Sequence, residues 1–185
     1  GAFVFAPDSR HLFWIWRDDH GRPASVYRRE IGSDADTLVY EEKDAGFFVG
    51  VSATRSGQWI IITSGNHDTS ESWLIPVTTP DAPPACVEPR HEGVIYDLHH
   101  WGTDFVVLTN AGGAIDFTLK LAPQDAPARA NWRELVPHEP GRYITACCTF
   151  ADWLVWRERH EANCRIVMQT RQGERHVLGS GEAAY

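Results

Sequence analysis

Residues 47–77 read FFVGVSATRSGQWIIITSGNHDTSESWLIPV, and this stretch decides the fold. Its hydrophobic residues fall on alternate positions, as a pleated strand needs; they are Val49, Val51, Trp59, Ile61, Trp73 and Ile75. The polar breaks between them contain the Gly, Asn, Asp and Ser that turns favour. The stretch therefore predicts three antiparallel strands in succession, at residues 47–52, 58–63 and 72–77.

The same arrangement recurs along the chain with a regular period. An aromatic residue opens the second strand of each predicted unit, at spacings of 46, 46 and 48: Phe13, Trp59, Phe105 and Trp153. The equivalent third-strand positions are Tyr27, Trp73, Phe117 and Arg165. Four strands repeated every 40–50 residues are typical of β-propeller blades, whereas a two-sheet sandwich gives no reason for such a period. We interpret the repeated aromatic residues as core positions rather than as a stacking platform for bases or sugars.

The sequence therefore predicts an all-β chain, a β-propeller segment of about four four-stranded antiparallel blades. The predicted blade units are residues 1–44, 45–91, 92–141 and 142–181, with a further blade starting at 182–185. We expect this to be an excised run of blades from a longer propeller, whose two terminal blades expose apolar faces built to pack on neighbours. An isolated segment should then self-associate through its exposed blades.

Composition narrows the class of partner. The 185 residues include 25 acidic and 17 basic side chains, a net charge of −8 that argues against a nucleic-acid partner. No apolar run approaches the roughly 20 residues of a membrane span, and nothing resembles a signal peptide. Cys147 and Cys148 are adjacent in a predicted strand, so their side chains point to opposite faces and cannot readily form a disulfide. Reduced thiols in a cytoplasmic protein are the simpler interpretation.

The sequence contains no strong motif for nucleophilic catalysis, metal binding or phosphate binding. The nearest approach to a nucleophile elbow is residues 50–54, GVSAT, which lacks the second glycine, so Ser52 is interpreted as a turn residue. His67, Asp68 and Ser70 fall in a predicted hairpin loop. His99 and His100 point to opposite strand faces, no C-x-x-C spacing exists, and AGGA at 111–114 joins two strands without opening a helix. The sequence predicts no catalytic, cofactor-binding or metal-binding residue.

Three longer stretches carry a family resemblance: residues 38–75 (LVYEEKDAGFFVGVSATRSGQWIIITSGNHDTSESWLI), residues 131–144 (NWRELVPHEPGRYI) and residues 150–159 (FADWLVWRER). They resemble the N-terminal propeller domain of the oligopeptidase B (protease II) branch of the prolyl oligopeptidase family of serine peptidases. The resemblance runs from Phe3 to Tyr185. Trp73, Pro76 and the Cys147–Cys148 pair depart from the usual pattern of the family.

The resemblance implies a seven-bladed propeller stacked on a C-terminal α/β-hydrolase domain that carries the catalytic Ser, Asp and His. None of that domain is expected here, so this segment alone should be inactive. The family implies cleavage of short peptides after Lys or Arg, with the propeller limiting substrate size; a net charge of −8 would also attract cationic peptides.

Two alternatives stay open. One is a stand-alone scaffold that binds proteins, and the other is a propeller glycosidase, for which Asp97 is the nearest inward carboxylate.

Overall fold

The computed structural model describes residues 3–178, which form sixteen β-strands and one short 3₁₀ helix, Arg129–Asn131. The strands make four four-stranded antiparallel sheets, and in each sheet the strands lie side by side in sequence order. This meander is the arrangement that the repeat predicted, and the all-β prediction is confirmed. The predicted start of a further blade at residues 182–185 lies outside the described residues. None of the helical structure in residues 3–178 has the length and hydrophobicity that a membrane crossing requires.

The sheets, called blades 1 to 4, have the following strands. Blade 1 contains β1 (Phe3–Phe5), β2 (His11–Arg17), β3 (Pro23–Glu30) and β4 (Asp36–Glu41). Blade 2 contains β5 (Phe48–Ala53), β6 (Trp59–Gly65), β7 (Ser70–Pro76) and β8 (Ala85–Glu88). Blade 3 contains β9 (Tyr96–Trp101), β10 (Asp104–Thr109), β11 (Thr118–Pro123) and β12 (Arg133–Val136). Blade 4 contains β13 (Arg142–Thr149), β14 (Trp153–His160), β15 (Asn163–Thr170) and β16 (Arg175–Leu178).

The chain divides into two compact units, Gly1–Ile95 with blades 1 and 2 and Tyr96–Tyr185 with blades 3 and 4. The core of the first unit contains Ala6 and, from both blades, the branched and aromatic side chains of Phe13, Ile15, Val26, Val49, Ile60, Ile62 and Ile75. Such side chains suit a pleated, buried surface. Ile61 is buried as well, although it points to the opposite side of β6. The predicted limits of the four blade units stay a prediction.

The core of the second unit joins blades 3 and 4 in the same way. It contains Trp101, Val106, Leu108, Leu119, Val136, Ile144, Cys147, Leu154, Trp156 and Val167. Cys147 is buried in this core and Cys148 is half-buried, as their adjacent positions in β13 predict. All four cysteines are free.

The repeated aromatic positions do not share one environment. Phe13 and Phe105 are fully buried, as predicted, but Trp59 and Trp153 are only half-buried, so the core prediction was wrong for them. The register explains the difference for Trp59. Ile60 and Ile62 point into the first core, and alternation along β6 places Trp59 on the other face of the blade. The spacing of aromatic residues along the chain therefore predicts where the strands are, but not which face of the blade each aromatic side chain occupies.

Several strand ends also differ from the sequence prediction. The third strand of blade 3 begins only at Thr118, because Phe117 has a left-handed backbone with φ of 65°. A non-glycine residue rarely adopts this conformation, and hydrophobicity alone gives no sign of it. In blade 2, β7 begins at Ser70 instead of Ser72.

Candidate functional site

The first unit contains a cluster of paired charges at one end of blade 2. Glu42 follows β4, Glu71 lies in β7 and Arg90 follows β8, so three separate segments supply the charges. Arg90 Nη2 donates to Glu42 Oε2 at 2.5 Å and to Glu71 Oε1 at 2.9 Å. Both glutamates are buried. We call these three residues the first-unit ion-pair cluster.

Further donors stabilise the ionised form of Glu42. Ser64 Oγ donates to Glu42 Oε2 at 2.5 Å, and the Asp44 backbone N–H donates to Glu42 Oε1 at 2.8 Å. Burial favours the neutral acid, but these bonds and the charge of Arg90 outweigh it and hold the pKa of Glu42 below its ordinary value. The Tyr40 hydroxyl also reaches Glu42 and Glu71, and burial together with these carboxylates raises the pKa of Tyr40.

The connection between blades 1 and 2 is fixed by Arg22. Its guanidinium donates to three backbone carbonyls of this connection, those of Glu42 at 3.3 Å, Asp44 at 3.0 Å and Phe47 at 3.0 Å. Asp18 holds Arg22 in place through a 2.9 Å ion pair. The ring of Phe47 then lies beneath Arg90, with Cζ 3.9 Å from the ring centroid. This stacking adds a cation–π contact to the two ion pairs of Arg90.

A cavity of about 420 Å³ opens beside the cluster. Its lining comes from the β6–β7 turn, the start of blade 2 and the segment after β8: Phe47, Asn66, His67, Asp68, Thr69, Arg90 and Glu92. Asn66 Oδ1 accepts the backbone N–H of Asp68 and Thr69, and Thr69 Oγ1 accepts the N–H of Gly93. Asn66 therefore closes the turn in the manner of an Asx turn, and Thr69 ties it to the segment after β8.

The second unit has its own buried carboxylate. Glu158, in β14, is 2 % exposed and accepts from Trp156 Nε1 at 2.7 Å and from Arg165 Nε at 2.6 Å. Arg142 Nε lies 3.9 Å from the same carboxylate and pairs with Glu139 at 2.9 Å through Nη1. In each unit, paired charges thus lie where several strands and connections meet.

The residues considered from the sequence lie apart. Ser52 is an exposed residue of β5 that pairs with Ile61, so its interpretation as a turn residue was wrong. His67 Nε2 is 3.4 Å from Asp68 Oδ2 in the turn, and Ser70 begins β7. In β9, His100 is buried with Nε2 2.9 Å from Gln124 Oε1, while His99 lies 3.2 Å from the exposed Asp97. Within residues 3–178, no group of three His, Cys, Asp or Glu side chains could hold a metal ion.

Sequence reasoning missed the first-unit ion-pair cluster. Glu42 and Arg90 are 48 residues apart and both follow a strand, so no local spacing rule joins them. The one available signal is indirect: their separation is close to the blade period, which places both after the fourth strand of consecutive blades. The expectation that no residue here is catalytic or metal-binding stays a prediction.

The fold and these sites define a β-propeller segment stabilised by apolar cores and internal ion pairs. The chain belongs to the family of N-terminal β-propeller domains of prolyl oligopeptidases, whose model matches residues 1–180. Protease 2 of Moraxella lacunata is 32% identical over the whole of this chain, which covers 26% of that relative. Dipeptidyl aminopeptidase BI of Pseudoxanthomonas mexicana is 29% identical over 98% of the chain and 25% of its own length.

Solved structures agree with the family. Oligopeptidase B from Trypanosoma brucei, solved with covalently bound antipain, superposes with a TM-score of 0.90 and 28% identity. Oligopeptidase B from Leishmania major gives a TM-score of 0.90 and 27% identity. In both comparisons 98% of this chain is matched and 27% of the other. The chain therefore spans about a quarter of the length of the relatives it matches.

Proposed function

We propose that this chain is part of the non-catalytic propeller of a serine oligopeptidase similar to oligopeptidase B. The propeller would control the access of short peptides to a C-terminal α/β-hydrolase domain that cleaves after Lys or Arg. The hydrolase would act through an acyl-enzyme, with a histidine base and an oxyanion hole, on residues outside this chain.

One observation carries the proposal. Almost the whole chain superposes on two oligopeptidase B structures at a TM-score of 0.90, while it covers only 27% of either. A segment that fits so closely into a larger peptidase is best explained as a corresponding part of such a peptidase. The family match to a propeller domain, and not to a catalytic domain, supports the non-catalytic role.

The geometry supports a role in limiting access, because a barrier must keep its shape. Both units have apolar cores of contacting side chains, and Arg22 and Arg90 fix the connection that leads into blade 2. Residues held by several simultaneous contacts resist local opening.

We also propose a cytoplasmic location and reduced thiols, supported by the four free cysteines.

The test is to express the full gene product and label it with a fluorophosphonate probe, which reacts with activated serines. We expect one labelled serine outside residues 1–185 and none within them. The labelled protein should cleave short peptides after Lys or Arg in preference to peptides with neutral residues there, and should spare folded proteins. Labelling within residues 1–185, or equal cleavage of folded proteins and short peptides, would refute the proposal.

A further inference from the structure

The second unit contains a small cavity whose charged lining is entirely cationic. Its volume is about 100 Å³, and five residues line it: Ala111, Gly112, Lys120, Arg129 and Trp132. We call this the second-unit cavity. Two of its five lining side chains are basic and none is acidic, in a chain whose net charge is −8. The cavity beside the first-unit ion-pair cluster differs, because Asp68 and Glu92 line it together with Arg90. The charges of the second-unit cavity therefore favour an anion.

The turn after β10 adds backbone donors to this lining. Gly112 and Gly113 both have left-handed backbones, with φ of 77° and 83°, and glycine adopts this conformation without steric cost. Within residues 3–178 the N–H groups of these two glycines have no hydrogen-bond acceptor. The start of the turn is fixed, because the Ala111 N–H donates to Thr109 Oγ1 at 3.0 Å. Successive N–H groups in a turn can form a concave site for an anion.

The two cations come from different elements. Lys120 lies in β11, and its Nζ donates to Glu134 Oε1 on the neighbouring strand β12 at 2.5 Å. An ammonium group has three N–H donors, so this ion pair leaves further donors of Lys120 for a ligand. Arg129 begins the 3₁₀ helix and carries a guanidinium with five N–H donors. Only 20% of the Lys120 side chain is exposed, and partial burial of a charge strengthens its attraction for an ion of opposite sign.

Trp132 gives the second-unit cavity an anchored aromatic wall. Its Nε1 donates to the Pro127 carbonyl at 2.8 Å, and its ring meets that of Tyr96 at an angle, with centroids 5.5 Å apart. The size of the cavity then limits the ligand. Pockets for drug-sized molecules measure about 300–1,000 Å³, so a cavity of about 100 Å³ accommodates a group of only a few atoms.

We propose that the second-unit cavity binds a small oxyanion, a carboxylate or a phosphate group. The Gly112 N–H, Lys120 and Arg129 donate to its oxygens, and hydrogen bonds between ionised partners are the strong ones. Two sources share this chemistry, the C-terminal carboxylate of a peptide and free phosphate. Glu134 moderates the affinity, because it already pairs with Lys120. The proposal stands apart from the peptidase role, since it depends on charge and geometry within blade 3 alone.

The test is titration calorimetry of the full gene product with inorganic phosphate and, separately, with acetate, both at constant ionic strength. Arg129→Gln should weaken binding of the preferred ion about tenfold, because it removes a charged donor. Glu134→Gln should strengthen binding about threefold, because it releases Lys120 from its ion pair. Arg133→Gln is the matched control: it removes the same charge from the same blade, but Arg133 pairs with Asp104 and does not line the cavity. The control should change the affinity less than about twofold.

Tryptophan fluorescence locates the bound ion. Because Trp132 lines the second-unit cavity, a saturating concentration of the preferred ion should change the tryptophan emission of the protein. Trp132→Phe should remove that change while calorimetry still detects binding. Tighter binding of acetate than of phosphate would support a peptide terminus as the ligand, and the reverse order would support free phosphate.

Three results would overturn the proposal. The first is the absence of saturable binding for both ions. The second is equal weakening by Arg129→Gln and Arg133→Gln, which would mean that the ion responds to the overall charge of the blade and not to the cavity. The third is binding of chloride as tight as that of either oxyanion, which would leave no preference for oxygen ligands. If Arg129→Gln does not fold, Lys120→Gln takes its place, with the same expected loss of affinity.

Discussion

Arg90 and Glu71 meet at 2.9 Å at the end of blade 2, and the same guanidinium nitrogen also holds Glu42. One cation thus pairs with two carboxylates, one from the connection after blade 1 and one from blade 2. Because both glutamates are buried, removing the cation would leave their charges without compensation, which is far more costly than losing a pair on the surface.

We therefore expect Arg90→Met to lower the free energy of unfolding by about 3 kcal/mol. The control is Arg10→Met, which breaks the exposed pair between Arg10 and Glu30. That pair should contribute less than about 1 kcal/mol. Urea unfolding of the three proteins measures the difference. Equal losses in the free energy of unfolding for the two variants would show that the first-unit ion-pair cluster is as solvated as a surface ion pair.

Stability should fall in acid because of Glu42. Its pKa in the folded protein lies below the ordinary value of 4.5, so the unfolded chain binds the proton more tightly. The contribution of Glu42 is complete above about pH 4.5 and is lost as the pH falls through the folded pKa. Urea midpoints between pH 6 and pH 3 should show this loss, and Glu42→Gln should flatten that part of the curve. An unchanged slope in the variant would contradict the assignment.

Alanine substitutions at two glycines test the close approach of Gly102 to Arg171 in the second unit, with Gly93 of the first unit as the control. Gly102 has φ of 70°, and a Cβ there would lie within 2.4 Å of Arg171 Nη1. Arg171 is held over Trp101, with Cζ 4.6 Å from the ring centroid, and bonds the carbonyl of Ala151. Gly93 has φ of 74° but an open site. Both alanine substitutions should cost about 1 kcal/mol of backbone strain.

Gly102→Ala should cost more than Gly93→Ala, because it also displaces Arg171 from Trp101 and removes a cation–π contact of roughly 0.5–1 kcal/mol. Thermal unfolding, together with the change in Trp fluorescence, measures both effects. If the two variants lose the same stability, Arg171 moves aside freely and its stacking on Trp101 contributes nothing.

The four thiols should react in the order of their exposure. Cys164 is exposed, Cys86 and Cys148 are half-buried, and Cys147 lies in the second core. Burial raises the pKa of Cys86 to about 11, and burial also raises the pKa of Cys147, so both stay protonated near neutral pH. Alkylation of the native protein should modify one cysteine, Cys164, much faster than the other three. Cys164→Ser should abolish it and Cys147→Ser should leave it unchanged; a fast phase that survives Cys164→Ser would refute this order.

The 185-residue chain by itself should self-associate, because Phe3 and Phe5 on blade 1 and Val177 and Leu178 on blade 4 are largely exposed. Sedimentation across a range of concentrations should show a mass above that of one 20.8 kDa chain. Phe3→Asp together with Phe5→Asp should reduce it, whereas Ile31→Asp should not. A monomer at every concentration would contradict the prediction.

The sequence predicted the strands and their order better than their packing. Alternating residues such as Val49 and Val51 mark a strand whatever covers it, and the period near 46 groups strands into blades. The face that each residue occupies depends on register, which is why Trp59 was misjudged. The left-handed backbone of Phe117 and the meeting of Glu42 with Arg90 arise from tertiary contacts, and neither leaves a local pattern in the chain.

The order of strands within each sheet has a consequence for how the protein is made. Every strand pairs with the one synthesised just before or just after it, so hydrogen-bonded partners are separated by short connections. Loop closure then costs little entropy at each step. Each sheet can therefore form as soon as its last strand has been synthesised, before the strands of the next sheet are complete.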